Sequence, residues 1–213
     1  MLIARILSAR RAGKEQGAKP LATEEFRTLL SNHPTFVVLD VEATGGKFPP
    51  ERMMELGMVR MQAGKAWTTW ESLFNPDRDI PPFVSDLTGI RQNMVQSAPK
   101  FARCAKEIDA FTKDAWLVGH PVTFDYRYLR YEMALAGFDF TRKLLCTQQL
   151  ARHFLPEQPS YSLGKLCRAL GIETQGRHRA LGDAQLTAHL FERILEAAMR
   201  HDLPLGEDRT HEQ

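Results

Sequence analysis

In a chain of 213 residues, four acids and one histidine have the types and spacing to do chemistry. Asp40 and Glu42 end the run TFVVLDVE at i and i+2, so on an extended backbone both carboxylates project from one face. Like charges so placed repel unless something offsets them, and hard oxygen ligands suit Mg²⁺ or Mn²⁺. A solvated strand end with both acids exposed is the alternative. Asp125 follows AWLVGHPVTF and falls in the first turn of a helix, where the positive macrodipole end favours a carboxylate. A plain capping acid would read the same way. Asp183 lies in RHRALGDAQ beside Ala180, Leu181 and Ala184, a packed helical face on which an acid is uncommon unless paired. His178 precedes it by five residues, about 140° around an ideal helix. It therefore belongs to the loop leading into that helix, free to swing over a site. Thr44-Gly45-Gly46, directly after Glu42, makes a sharp turn at which backbone N–H groups can approach a ligand.

These residues need elements to position them. Phe36 to Glu42 is rich in β-branched residues and reads as a buried strand. MMELGMVRM and AWTTWESLF alternate around Ala63-Gly64 and form a hairpin, so the first three strands are antiparallel. Before them, Thr23 caps a short helix with Glu24 and Glu25 in its first turn, ended by Asn32-His33-Pro34. Phe101, Cys104, Ala105, Ile108 and Phe111 share one helical face, which puts Cys104 in the core. AWLVGH is a short strand and VTFDYRYLRYEMALAG a helix ended by Gly137. LLCTQQLARHF, SLGKLCRALGI and the long segment from RALGDAQ give three more helices. Strands first and helices interleaved later predict a mixed α/β sheet covered by helices. The expected organisation is an amphipathic helix and linker over residues 1–22, a core domain over 23–201 and a polar tail over 202–213.

The bulk numbers exclude several classes. With 43% hydrophobic and 25% charged residues the chain is neither disordered nor a coiled coil. Lys plus Arg number 28 and Asp plus Glu 26, a net charge of +2, which excludes a histone-like polycation. It does not exclude a nucleic-acid binder, since a near-neutral sum can hide a basic rim around an acidic centre. Cys104, Cys146 and Cys167 are odd in number and show no CxxC spacing, against a disulfide framework or a thiolate zinc site. A cytoplasmic setting is expected. No apolar run approaches the roughly 18 residues of a membrane span. Arg5 interrupts the apolar stretch of MLIARILSARRAGKEQ, so it is not a secretory signal and reads as an amphipathic surface helix, an organelle transit peptide being the alternative for so Arg-rich a start.

Taken together, LDVEATGG, GHPVTFD and HRALGD resemble, in this order, the three motifs of the DEDDh 3′–5′ exonuclease superfamily. That superfamily includes the proofreading subunit of bacterial DNA polymerase III, ribonuclease T and oligoribonuclease. MELGMV, DLTGI and YSLGKLCRALGI support the resemblance. It implies a ribonuclease H-like sheet with helices on both faces. It also implies two divalent ions, Mg²⁺ or Mn²⁺, held by Asp40, Glu42, Asp125 and Asp183, with Asp40 bridging and His178 as the base. Two such ions about 3.5–4 Å apart clamp the attacking and leaving oxygens of a phosphodiester. Glu55 matches the acid of the family's second strand. The expected reaction releases nucleoside 5′-monophosphates from a single-stranded or frayed 3′ end, DNA being favoured over RNA. Thr44 and Gly45 are expected to face the terminal nucleotide, with Leu87 or Phe124 stacking on its base, although Phe124 also suits the core. Arg142, Lys143, Arg177 and Arg179 are candidates for phosphate contacts. Three positions depart from the family pattern: Pro121 where Asn is common, Ala43 where Thr is common, and Cys146-Thr147 for a frequent Asp-Thr. The chain ends too soon after Asp183 for a polymerase-binding tail, so a free-standing enzyme is expected, as a monomer or a homo-oligomer. The rival readings are an RNA 3′-exonuclease of the ribonuclease T or oligoribonuclease type and a catalytically silent interaction module.

Overall fold

The computed structural model describes residues 23–46, 49–62, 65–174 and 178–200. The expected first helix, its linker and the polar tail lie outside them, so 23–200 is the part of the expected core domain that can be described. Helix α1 (Thr23–Ser31) leads into strands β1 (Thr35–Ala43), β2 (Met53–Met61) and β3 (Thr68–Leu73). Helices α2 (Pro82–Thr88), α3 (Gln92–Gln96) and α4 (Phe101–Phe111) follow, then β4 (Ala115–Gly119), α5 (Val122–Leu135) and β5 (Lys143–Cys146). Helices α6 (Thr147–Phe154), α7 (Leu163–Ala169) and α8 (Ala180–Arg200) complete the described chain. The strands form one sheet in the order β3-β2-β1-β4-β5. β1–β2 and β2–β3 are antiparallel, while β1–β4 and β4–β5 are parallel. The mixed sheet expected from the sequence is thus present.

Alternation along β1 decides which helices cover which face. Val37, Leu39 and Val41 pack against Phe101, Ala105 and Ile108 of α4 and Tyr126, Leu129 and Met133 of α5. Phe36 and Val38 point the other way, into a cluster built from Phe26 of α1, Leu150 and Phe154 of α6, Leu166 of α7 and Ala184, Phe191 and Ile194 of α8. Helices cover both faces. By the same period of two, Asp40 and Glu42 continue the face on which α8 lies.

Two expectations need correction. Leu144, Leu145 and Cys146, read as the start of a helix, belong to strand β5, which is paired from Trp116↔Lys143 to Gly119↔Cys146. An apolar run this short carries no usable period, and the open edge of β4 decides its conformation. The second correction is at Cys104, which is half-buried at the margin of the α4–α5 cluster rather than inside it. Helices α2 and α3 occupy a stretch in which no element was anticipated.

Candidate active site

β1 extends beyond its parallel neighbour: its last pair with β4 is Val38↔Val118, and its remaining residues pair only with β2. Asp125 fills the gap from the first turn of α5 and accepts the Val41 N–H at 3.3 Å. Its closeness to the strand end depends on Gly119, where a Cβ would stand 3.0 Å from Asp125 Oδ2 and 3.0 Å from Val122 Cα. Pro121, the residue just before α5, has no N–H to donate, and Asp125 is supported by the Val41 N–H of β1 and by its own backbone N–H.

Asp183 comes to the same place from α8. In the β1–β2 ladder Gly57 lies opposite Asp40, and a side chain at Gly57 would collide with the backbone of Ala180 and Leu181. The missing side chain lets the first turn of α8 rest directly on the sheet beside Asp40. As a result Asp40, Glu42 and Asp183 offer carboxylate oxygens that all lie within 4.8 Å of one another. Asp125 stands behind Asp40 as a buried partner. The structure therefore brings the four acids together, three in one cluster and Asp125 alongside.

His178 sits in the turn before α8, as expected, but its backbone is pinned rather than free to swing. Its N–H is donated to Asp183 Oδ2 at 3.0 Å and its φ is 64°. The next two residues are fixed by Glu55, which is 2% exposed and lies opposite Glu42 in the ladder. Its carboxylate accepts from Arg179 Nε at 3.0 and 3.1 Å and from the Ala180 N–H at 2.8 Å. Arg179, anticipated as a phosphate contact, is thus paired through one edge of its guanidinium.

The Thr44–Gly45 turn is held by a network that sequence reasoning did not find. Thr44 is fully buried; its hydroxyl donates to Glu51 and accepts from the Arg52 N–H at 3.1 Å. Arg52 forms a fork to buried Glu132 at 2.6 and 2.7 Å, and the Tyr128 hydroxyl donates to the Gly45 carbonyl at 2.6 Å. Asp125, Tyr128 and Glu132 stand at i, i+3 and i+7 of α5, one helical face. A single helix thereby sets both an acid of the cluster and the turn beside it. The period was visible in the sequence, but which polar group meets which backbone atom was not.

The structure does not gather the remaining candidates at this centre: Lys143 pairs with Trp116, which lies opposite Phe36 at the start of β1, away from Asp40 and Glu42. Leu87 is 57% exposed, as is its neighbour Phe83 at 68%, one turn apart on α2 and open to a ligand. Phe124 packs at the margin of the α4–α5 cluster with its ring 5.1 Å from Tyr128, in line with its core reading. Arg142 is engaged with Asp109 at 2.6 Å and with the Thr112 carbonyl at 3.0 Å. Lys143 lies over the Trp116 ring at 5.1 Å. Arg177 falls outside the described residues.

The cluster is electrostatically unsettled as it stands. Burial, followed by repulsion from Asp125, Glu42 and Asp183, holds Asp40 well above the usual carboxylate range. Burial also raises Asp125, against the hydrogen bond from Val41. Desolvated carboxylates that repel one another, with hard oxygen donors converging, fit a divalent cation.

The chain matches the RNase_T exonuclease family over residues 37–191. It is 37% identical over 163 residues to DNA polymerase III subunit epsilon of Aquifex aeolicus, covering 76% of this chain and 81% of that protein. It is 34% identical over 200 residues to the PolC-type DNA polymerase III of Thermotoga maritima, covering 87% of this chain but only 15% of the relative's length. Among solved structures, Exonuclease X in complex with 5′ overhanging duplex DNA superimposes with a TM-score of 0.62 at 26% identity, covering 76% of this chain and 91% of that one. The nuclease domain of 3′hExo, a DEDDh family member bound to rAMP, has a TM-score of 0.67 at 20% identity, covering 78% and 94%. At that identity it speaks for the fold alone.

Proposed function

We propose a reaction from one premise: this chain belongs to the RNase_T exonuclease family, a family of enzymes that hydrolyse phosphodiester bonds at the ends of nucleic acids. The proposed reaction removes single nucleotides from the 3′ end of single-stranded or frayed DNA, releases nucleoside 5′-monophosphates and needs no polymerase partner. The observation that carries it is the convergence of Asp40, Glu42 and Asp183 within 4.8 Å, with Asp125 beside them and His178 bonded to Asp183.

Asp40, Glu42, Asp125 and Asp183 would hold two divalent cations, Mg²⁺ or Mn²⁺. When bound, such ions supply charge neutralisation and activation for in-line attack on phosphorus. The protein's own part is positional. The backbone of His178 is held to Asp183, and its imidazole would accept a proton from the attacking water. The Thr44–Gly45 turn, rigid because Tyr128 and Glu51 hold it, seats the terminal nucleotide. Leu87, exposed on α2, stacks on a base, a contact that tolerates any sequence.

The deciding experiment incubates the chain alone with Mg²⁺ and end-labelled single-stranded DNA, duplex DNA and RNA in parallel. The expected outcome is mononucleotide release from the 3′ end, abolished by chelator and fastest on single-stranded DNA. Release from the 5′ end, or none at all, would overturn the reading. Faster release from RNA would move the substrate class and leave the reaction.

A further inference from the structure

We propose that Arg179 is a phosphate-binding residue of this site, held along one edge by Glu55 so that its other edge meets the nucleic-acid backbone beside His178. The inference rests on the exonuclease reading and names one of the groups that recognise its substrate. Arg179 gives Nε and Nη2 to Glu55, whereas Nη1 has no hydrogen-bond partner among the described residues. The pair is lopsided in exposure: the Glu55 side chain is 2% exposed and that of Arg179 44%. A guanidinium carries five donors in a rigid plane, so binding one anion along one edge aims the opposite edge at a second anion.

Bracing the start of α8 does not account for this arginine. The Ala180 N–H already joins that helix to Glu55 at 2.8 Å. Other arginines near the turn are engaged elsewhere, Arg52 with Glu132 and Arg78 with Glu51. Arg179 adjoins the residue assigned as the base. Glu55, cross-strand from Glu42, adds a further negative charge to a face already carrying Asp40 and Asp183. A polyanionic substrate approaching that face needs a fixed cation close to the bond to be cut, and the held fork of Arg179 supplies one.

The rival explanation is that Arg179 only neutralises Glu55. The two separate in the salt dependence of binding, because each phosphate contact made by a cation releases counterions and steepens the slope of log affinity against log salt by about 0.7 on a single strand. Binding of a fluorescein-labelled single-stranded oligonucleotide, protected from hydrolysis by 3′ phosphorothioates, is measured by anisotropy in Mg²⁺ over a KCl series. Arg179→Met is expected to weaken binding roughly tenfold and to flatten the slope by about 0.7, with Mg²⁺ affinity by calorimetry unchanged. Glu55→Gln keeps the acceptor for Ala180 and is expected to shift binding in the same direction, but less. The double variant Glu55→Gln/Arg179→Met leaves no unpaired buried charge and should keep the full loss. Return of wild-type affinity and slope in that double variant, or an unchanged slope in Arg179→Met, would overturn the assignment. Hydrolysis of the unprotected oligonucleotide by the wild type reports separately on the exonuclease reading, so failure of one is told from failure of the other.

Discussion

At the scale of single residues, the contact that distinguishes roles is the one between the His178 N–H and Asp183 Oδ2. It makes Asp183 both a candidate metal ligand and the anchor of the proposed base, whose imidazole would in the proposed reaction serve only the proton. Replacing His178 by Ala should therefore lower kcat by about 10²–10⁴ while Mg²⁺ affinity, measured by calorimetry, stays at the wild-type value. Asp183→Asn should lose both. Equal loss of metal affinity in the two variants would assign His178 to the metal instead. Asp40, Glu42 and Asp183 stood out in the sequence because a buried strand rarely carries two like charges on one face and a packed helix rarely carries one, whereas Asp125 and His178 took their assignment from the resemblance of the three motifs. The polar contacts that fix them were not. Glu55 meets Arg179 across 124 residues and Tyr128 meets Gly45 across 83, separations at which no local pattern specifies a partner.

At the scale of elements, the site exists because α8 approaches the sheet more closely than side chains normally allow. Gly57 is the isolated glycine of a strand pattern, a signal of close backbone approach that the sequence did carry in MELGMV. In Gly57→Ala the new methyl would overlap the backbone of Ala180 and Leu181, atoms that cannot rotate away. The expected cost is about 1–3 kcal/mol of stability, read as a lower Tm, together with loss of metal-dependent hydrolysis as Asp183 moves away from Asp40. Wild-type activity in a folded Gly57→Ala protein would mean that the contact does not set the site. The mixed character of the sheet followed from the change of period along the chain, and the first three strands were readable from alternation alone. β5 was not, since Leu144-Leu145-Cys146 carries no period and takes its conformation from β4. α2 and α3 escaped for a related reason, being 7 and 5 residues long with little repeat to detect.

For the whole molecule, the near-neutral sum of 28 cations and 26 anions conceals an acidic centre whose charge works against the fold when no cation is bound. Among the described residues no helix is long and apolar enough to cross a membrane. In the metal-free fold, burial and like-charge neighbours hold Asp40 well above the usual carboxylate range, and burial holds Asp125 there too. Between the ordinary carboxylate value near 3.9 and those raised values, the folded chain binds more protons than the unfolded chain. Its stability must then fall as pH rises through that window, the reverse of a salt-bridged carboxylate. A divalent cation binds the deprotonated cluster and acts in the opposite sense, adding about 2.7 kcal/mol at a concentration a hundred times its Kd. With chelator present, this centre should therefore lower Tm as pH rises above the ordinary carboxylate range, and saturating Mg²⁺ should remove that decline. Asp40→Asn cannot ionise at this position, so in chelator it should be more stable than the wild type above that range and less responsive to Mg²⁺. Thermal melts of both proteins over a pH series, with and without Mg²⁺, test the prediction. If the difference in Tm between Asp40→Asn and the wild type in chelator does not grow with pH, the strain assigned to the cluster is absent.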